Sequence, residues 1–350
     1  MRKNGLVVGA RGVIGRNLVE HLSTLEDWDV VGLSRQALDF ESRAQFISIN
    51  LLDRQDCEDK LLGLDHITHI FYAAFQERPT LGEHVAPNLN MLRNVVEVID
   101  PIAPNLERIV LMQGGKAYGV HLGPFKTPAK ESDPRHMPPN FYYDQEDFLR
   151  ARQVNKSWTW TALRPDVVCG FAVGNPMNLM MVIAVYAAIS KELGLPLRFP
   201  GKPSAYQALT QVTDANVLAK ASVWAGTEPA CGNEIFNVTN GDLFRWEHVW
   251  PNFAEFFDMP YAPLQAISLI EFMADKGSVW NAIVKKHGLV PHRYESIAAW
   301  EFGDFIFGCD YDIVSDTSKV RRFGFHELTV DSEEMFLRLF QLLRQNKIIA

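Results

Sequence analysis

The 350-residue chain is poor in the features that define several large protein classes. It has only four cysteines, Cys57, Cys169, Cys231 and Cys309, spread far apart. No Cys-x-x-Cys or Cys/His ligand spacing occurs, which argues against zinc, and scattered thiols in a chain this large fit a reducing compartment. Excess positive charge is also missing. The net charge is -8, so a nucleic-acid partner is not expected. The longest apolar run, Leu179–Ile189, falls short of the roughly 20 residues that cross a bilayer, so no membrane partner is expected either. Met1-Arg2-Lys3-Asn4 leads straight into a strand pattern with no apolar leader. These absences lead to the expectation of a cytoplasmic protein acting on a small molecule.

What is present is apolar and periodic. Hydrophobic residues make up 47% of the chain, enough for a packed interior. In the first half, short apolar runs alternate with helical patterns. Strands are expected at Gly5–Gly9, Val30–Ser34, Phe46–Ile49, His69–Phe75, Arg108–Gln113 and Thr159–Arg164, with helices at Val13–Leu25, Asn88–Ile99 and Phe141–Arg152. This rhythm predicts an α/β fold with a doubly wound parallel sheet. After Pro165 helices dominate, at Asn178–Glu192, Arg245–Phe257, Leu264–Lys286, Tyr294–Phe307 and Ser332–Asn346. The expected organisation is a nucleotide-binding domain over 1–170 and a smaller, mostly helical substrate region over 171–350. A strand near 235–240 would return to the sheet.

Gly9-Ala10-Arg11-Gly12-Val13-Ile14-Gly15 sits between the first strand and the first helix, where a Rossmann dinucleotide site needs it. Gly9 allows the tight turn, Gly12 admits backbone to the pyrophosphate, and Gly15 lets helix and sheet approach. The helix N-terminus offers N–H groups and a positive dipole end to phosphate. The second strand ends in Ser34-Arg35-Gln36, and the first carboxylate comes only at Asp39. A basic residue there accommodates the 2′-phosphate of NADP(H), so NADPH is the expected cofactor, with Arg35 as its main ligand and Ser34 and Arg11 helping. Asn50 and Leu51 are expected near adenine, and Ala73, Ala74 and Phe75 near the ribose and nicotinamide.

Short-chain dehydrogenase/reductases generally pair a Tyr with a Lys four residues later on one helix face. None of the nine tyrosines here has that partner. Tyr142 and Tyr143 are followed at that spacing by Glu146 and Asp147, and a lysine stands instead at a strand tip, in Gly114-Gly115-Lys116-Ala117-Tyr118. With Asn140-Phe141-Tyr142-Tyr143-Asp144-Gln145-Glu146-Asp147, Leu163-Arg164-Pro165, Gly170-Phe171, Phe199-Pro200-Gly201 and Asn237-Val238-Thr239-Asn240-Gly241-Asp242, these residues make the chain resemble the progesterone 5β-reductase/iridoid synthase family of atypical short-chain dehydrogenase/reductases. The resemblance covers nearly the whole chain.

The resemblance implies NADPH-dependent hydride addition to the activated C=C bond of small hydrophobic enones and enals. It makes Tyr142 and Lys116 the catalytic pair, with Lys116 holding the ribose and lowering the Tyr142 pKa. Gln113, Tyr142, Pro165, Val167 and Val168 complete the expected cofactor contacts. Phe75, Phe125, Met177 and Tyr206 are the expected substrate-pocket wall. Phe75 stands where plant members carry Trp, Val167 where they carry Asn, and the Lys116–Phe125 segment is longer than theirs. The steroid or terpenoid preference is therefore not carried over. A homodimer is an assembly that the family analogy allows. Direct carbonyl reduction, a sugar-nucleotide epimerase or dehydratase, and a non-catalytic NADPH-sensing protein remain alternative readings.

Overall fold

A computed structural model describes residues 2–175 and 177–350. The elements run β1 Lys3–Val8, α1 Val13–Thr24, β2 Trp28–Ser34, β3 Gln45–Ser48, α2 Arg54–Leu61, β4 His69–Tyr72, α3 Leu81–Ile102, β5 Arg108–Met112, α4 Phe141–Gln153, β6 Thr159–Pro165 and β7 Val167–Cys169. There follow α5 Leu179–Glu192, α6 Pro203–Gln207, β8 Val212–Asp214, α7 Ala215–Thr227, β9 Glu234–Val238 and α8 Trp246–Phe256. The chain ends with α9 Leu269–Met273, α10 Gly277–His287, α11 Tyr294–Ile297, α12 Trp300–Gly308, α13 Ser318–Arg322 and α14 Ser332–Gln345.

Seven strands form one parallel sheet in the order β3-β2-β1-β4-β5-β6-β9. The order reverses between β1 and β4, and in open α/β sheets that crevice is where ligands bind. Side chains alternate between two buried faces. Val7 joins Leu18, Val19, Leu218 and Phe236 on one face, while Leu6 and Val8 join Leu92, Val96 and Leu149 on the other. Burial on both sides is why these strands read as continuous apolar runs rather than alternating ones. Helices α1 and α7 pack together on the first face, and α2, α3 and α4 on the second. A third core, with Trp246, Trp250, Phe253, Phe336 and Phe340 inside it, belongs to the C-terminal helices. Among the described residues no helix is long and apolar enough to cross a membrane.

Several boundaries differ from the periodicity. The helix expected from Asn88 begins at Leu81, because Thr80 and Glu83 form a reciprocal capping box and Pro87 is carried inside the helix. The single helix expected over Leu264–Lys286 is two. Gln265 and Ile267 instead donate backbone hydrogen bonds to Phe199 and Pro200, and a new helix starts after Ser268, whose hydroxyl accepts from Glu271 N. The helix expected over Tyr294–Phe307 breaks at Ala298, which is extended.

Candidate active site

The loop between β1 and α1 is built for close approach. Gly9 lies at φ +90, and a Cβ there would meet the Ala73 carbonyl carbon and the Ala74 nitrogen at 2.9 Å. The tips of β1 and β4 therefore touch through backbone alone. Gly12 precedes α1 without a capping side chain, leaving the first helical N–H groups to a ligand.

These elements open a cleft of about 1080 Å³. Gly9, Arg11, Gly12, Val13 and Ile14 line its floor. Ser34 and Arg35 come from the end of β2, Asn50 and Leu51 from the turn after β3, and Ala73, Ala74 and Phe75 from the end of β4. Met177, His292 and Ser296 reach it from the C-terminal region. Gly15 lies beneath, packed on Gly9 O. The Arg35 side chain is exposed and makes no hydrogen bond or ion pair among the described residues. Arg11 is already engaged, bonding Gln36 and pairing with Asp39 at 3.0 Å. Asp39 also pairs with Arg16 at 3.3 Å.

Beside the cleft, the tips of β5 and β6 meet α4. Asn140 caps that helix by accepting from Tyr142 N at 3.1 Å, and its side-chain amide donates to Lys116 O at 2.8 Å. One side chain thus ties the start of the Tyr142 helix to the Lys116 turn. The Tyr143 hydroxyl adds a second tie by donating to Ala117 O at 2.7 Å. The Tyr142 hydroxyl sits 3.3 Å from the position a Cβ on Gly114 would take. Its ring packs against Phe141, which stacks on Phe75 at 5.4 Å. A buried network holds α4 from below. Gln113 donates to Tyr142 O at 3.1 Å, Arg164 donates to Gln113 Oε1 at 2.8 Å, and Arg164 pairs with Glu146 at 3.3 Å.

The charge acting on Tyr142 differs from the expectation. Burial raises its phenol above the ordinary value, Arg164 opposes the rise, and Glu77 adds to it. Lys116 is not among the groups acting on the phenol. It acts on His121, whose imidazole burial lowers to about 4, with Lys116 adding to the drop. The phenol is therefore a neutral hydrogen-bond donor at physiological pH.

Other expected site residues stand outside the cleft lining. Val167 and Val168 lie on β7, paired with Val212 and Thr213 of β8. The Pro165 carbonyl faces Gly114. Phe125 packs in a small cluster with Val120, Ile313 and Tyr311. Tyr206 is buried in the C-terminal core, with its ring 4.9 Å from that of Phe199 and its hydroxyl bonded to that of Tyr261 at 2.7 Å. Asn140, Arg164, His292 and Ser296 were not among the candidates. Asn140 carries a local signal, an Asx residue just before a helix pattern. His292 and Ser296 carry none, because chain distance hides their place in the cleft.

Asp166 was also missed. It is 8% exposed, accepts from Ser315 Oγ at 2.9 Å, and burial pushes its carboxyl up to about 6. A raised folded-state pKa stabilises the fold below the unfolded value of 3.8, and that stability is lost as pH rises through 6. Asp166→Asn removes the penalty and keeps an oxygen for Ser315. Its stability relative to wild type is expected to improve by about 2–3 kcal/mol between pH 4 and pH 7.5. Thermal melts across that range check this; a constant difference would mean that the carboxyl is not held charged in a dry site.

The glycine loop, the crevice at the strand-order reversal and the carboxyl-edge cluster define a Rossmann-fold nucleotide-binding protein. Solved structures agree on the fold. UDP-glucose 4-epimerase of Thermotoga maritima superposes with a TM-score of 0.70 at 16% identity, covering 98% of this chain and 99% of that one. The Thermus thermophilus UDP-glucose 4-epimerase in complex with NAD gives 0.67 at 18%, covering 97% and 99%. At such identity the likeness speaks for architecture alone. The PRISE-like Rossmann-fold domain matches residues 49–350, and the chain belongs to that family. Its curated relatives include an (S)-8-oxocitronellyl enol synthase of Camptotheca acuminata, 34% identical over 98% of this chain and 92% of the relative. Another is a 3-oxo-Delta(4,5)-steroid 5-beta-reductase of Arabidopsis thaliana, 34% identical over 91% and 86%.

Proposed function

We propose that this protein is an NADPH-dependent reductase that adds hydride to the β-carbon of an enone or enal, with Tyr142 as donor to the carbonyl oxygen. The observation that carries the reading is the double role of Asn140, which couples the Tyr142 helix to the Lys116 turn at the carboxyl edge of β5. The family relatives, a steroid reductase and enol synthases by name, point to the same chemistry.

The cleft fits a dinucleotide phosphate. Its glycine loop approaches the tip of β4 more closely than any side chain would allow, the α1 N-terminus has no side-chain cap, and the Arg35 side chain has no partner among the described residues. NADPH supplies the hydride when bound. Residues 9–15 would hold its diphosphate, Arg35 with Ser34 its 2′-phosphate, and Lys116 its nicotinamide ribose. As negative charge develops on the substrate oxygen, the Tyr142 O–H donates to it. Such a preorganised donor is worth about 3–4 kcal/mol in the transition state. Phe75 and Met177 supply apolar surface along the cleft that disfavours water. The α-carbon takes its proton from solvent.

The test is NADPH consumption with a cyclic enone and a straight-chain enal, with the product identified by mass and NMR. Saturation of C=C with the carbonyl intact is the expected result, and an allylic alcohol would overturn it. For the cofactor, Arg35→Glu is expected to raise the NADPH Michaelis constant at least ~10-fold while changing the NADH value far less. Equal effects on the two would remove Arg35 from 2′-phosphate recognition.

A further inference from the structure

One wall of the cleft carries a titratable side chain, His292, that the proposed reaction does not use. His292 lies on the loop between α10 and α11, far in sequence from the glycine loop, yet it lines the same cleft as Arg11, Ser34, Arg35 and Asp39. Neither of its ring nitrogens has a hydrogen-bond partner among the described residues, and Nε2 is enclosed. Enclosed polar atoms in folded proteins almost always find a partner, so an orphaned one beside a ligand cleft calls for an explanation.

Its surroundings say which part of the ligand it meets. Asp39, on the segment following β2, is the charge that acts on His292. That end of the cleft is where a dinucleotide puts its adenosine ribose. Asp39 is already shared by Arg11 and Arg16, and Glu20 also pairs with Arg16, so with Arg35, whose side chain has no partner among the described residues, the local balance is three guanidiniums against two carboxylates. The patch is short of negative charge, and a phosphate supplies it. Glu77 lines the same cleft, and Arg293 and Glu295 on the His292 segment pair with each other at 3.6 Å.

We propose that His292 is a ligand of the cofactor's adenosine 2′-phosphate and takes a proton from solvent as that phosphate binds. The proposal rests on the NADPH reading above. In the free protein, burial lowers the imidazole pKa and keeps the ring neutral at pH 7. A phosphate dianion beside it favours the cation, which then donates a charge-assisted hydrogen bond. The bound-state pKa exceeds the free-state one, so the contribution is full at low pH and is lost as pH rises through the bound-state value. Nucleotides without the 2′-phosphate gain nothing from it. His292 would thus couple the C-terminal region to cofactor choice.

The experiment is calorimetric titration of wild type, His292→Asn and His292→Arg with NADP⁺ and NAD⁺, at pH 6.0 and pH 8.5. His292→Asn is expected to weaken NADP⁺ binding about tenfold at pH 6.0, about twofold at pH 8.5, and to leave NAD⁺ unchanged. The 2′-phosphate itself titrates near pH 6, but equally for each protein, so the ratio between proteins isolates the imidazole. At pH 7, buffers of different ionisation enthalpy should reveal proton uptake by wild type and none by either variant. His292→Arg should restore affinity and flatten the ratio with pH, which a purely structural role would not predict. A wild-type preference for NADP⁺ that survives intact in His292→Asn at both pH values overturns this proposal and spares the NADPH reading. A wild type that shows no such preference overturns both.

Discussion

Gly15→Ala is expected to cost at least ~100-fold in NADP⁺ affinity, by titration of protein that remains folded. A Cβ at this position would sit 2.1 Å from Gly9 O, 2.7 Å from the Gly9 carbonyl carbon and 2.9 Å from Ala10 Cα. All three are backbone atoms of the turn that would cradle the diphosphate, so no side chain can swing aside. Relief requires α1 to move off the tip of β1, taking its uncapped N–H groups with it. A displacement near 1 Å in a positioned site costs about 100-fold in function. Overpacking of this kind also destabilises by about 1–3 kcal/mol, which should show as a lower Tm. Gly82→Ala is the control. Gly82 lies in α3, where a Cβ meets nothing within 4 Å, and alanine there should stabilise by roughly 0.5–1 kcal/mol. Wild-type nucleotide affinity in Gly15→Ala would mean that the loop does not hold the diphosphate.

Tyr142→Phe is expected to lower kcat for enone reduction about 10²–10³-fold, with nucleotide affinity close to wild type. The change removes one oxygen from a ring whose packing on Phe141 is kept. The loss should fall on kcat and kcat/KM alike, because the bond to the substrate oxygen strengthens only as charge develops. Burial places the phenol pKa above its ordinary value of 10, so the donor form persists across the working range. No fall in turnover assignable to this group should appear below pH 10. An alkaline loss near pH 8 that vanishes in Tyr142→Phe would show that the phenol ionises in use, and unchanged kcat would remove it from the reaction.

Local order made much of the fold legible. Strand β1, the glycine loop and α1 are adjacent in sequence, and the physics of that unit is complete within the first 24 residues. Residues on neighbouring strand tips, such as Ser34, Asn50 and Ala73, could be placed in the cleft because parallel topology sends every carboxyl end to one edge. Helix α7 was not legible. Its apolar surface is interrupted by alanines, and its start is fixed by Asp214 accepting from Asn216 N. The late start of α9 was hidden for another reason: tertiary pairing of Gln265 and Ile267 with Phe199 and Pro200 overrides a helical pattern. The reach of His292 into the cleft depends on how the C-terminal helices dock, which no local window contains. The electrostatics of Tyr142 failed for the same cause. The cation that acts on it, Arg164, comes from β6 rather than from the Lys116 turn.

The amide of Asn140 has one further consequence. It fastens two points that are 24 residues apart along the chain, and the stretch between them is docked on the body, with Ala129 buried and bridged to Ser315 and Glu131 accepting from Asn237 N. Exposed positions of that stretch, such as Leu122 and Met137, can vary without disturbing these ties. Variation in this region is therefore expected at those exposed positions, while Ala129, Glu131 and His136 are held by their bonds to the body and to the Lys116 turn.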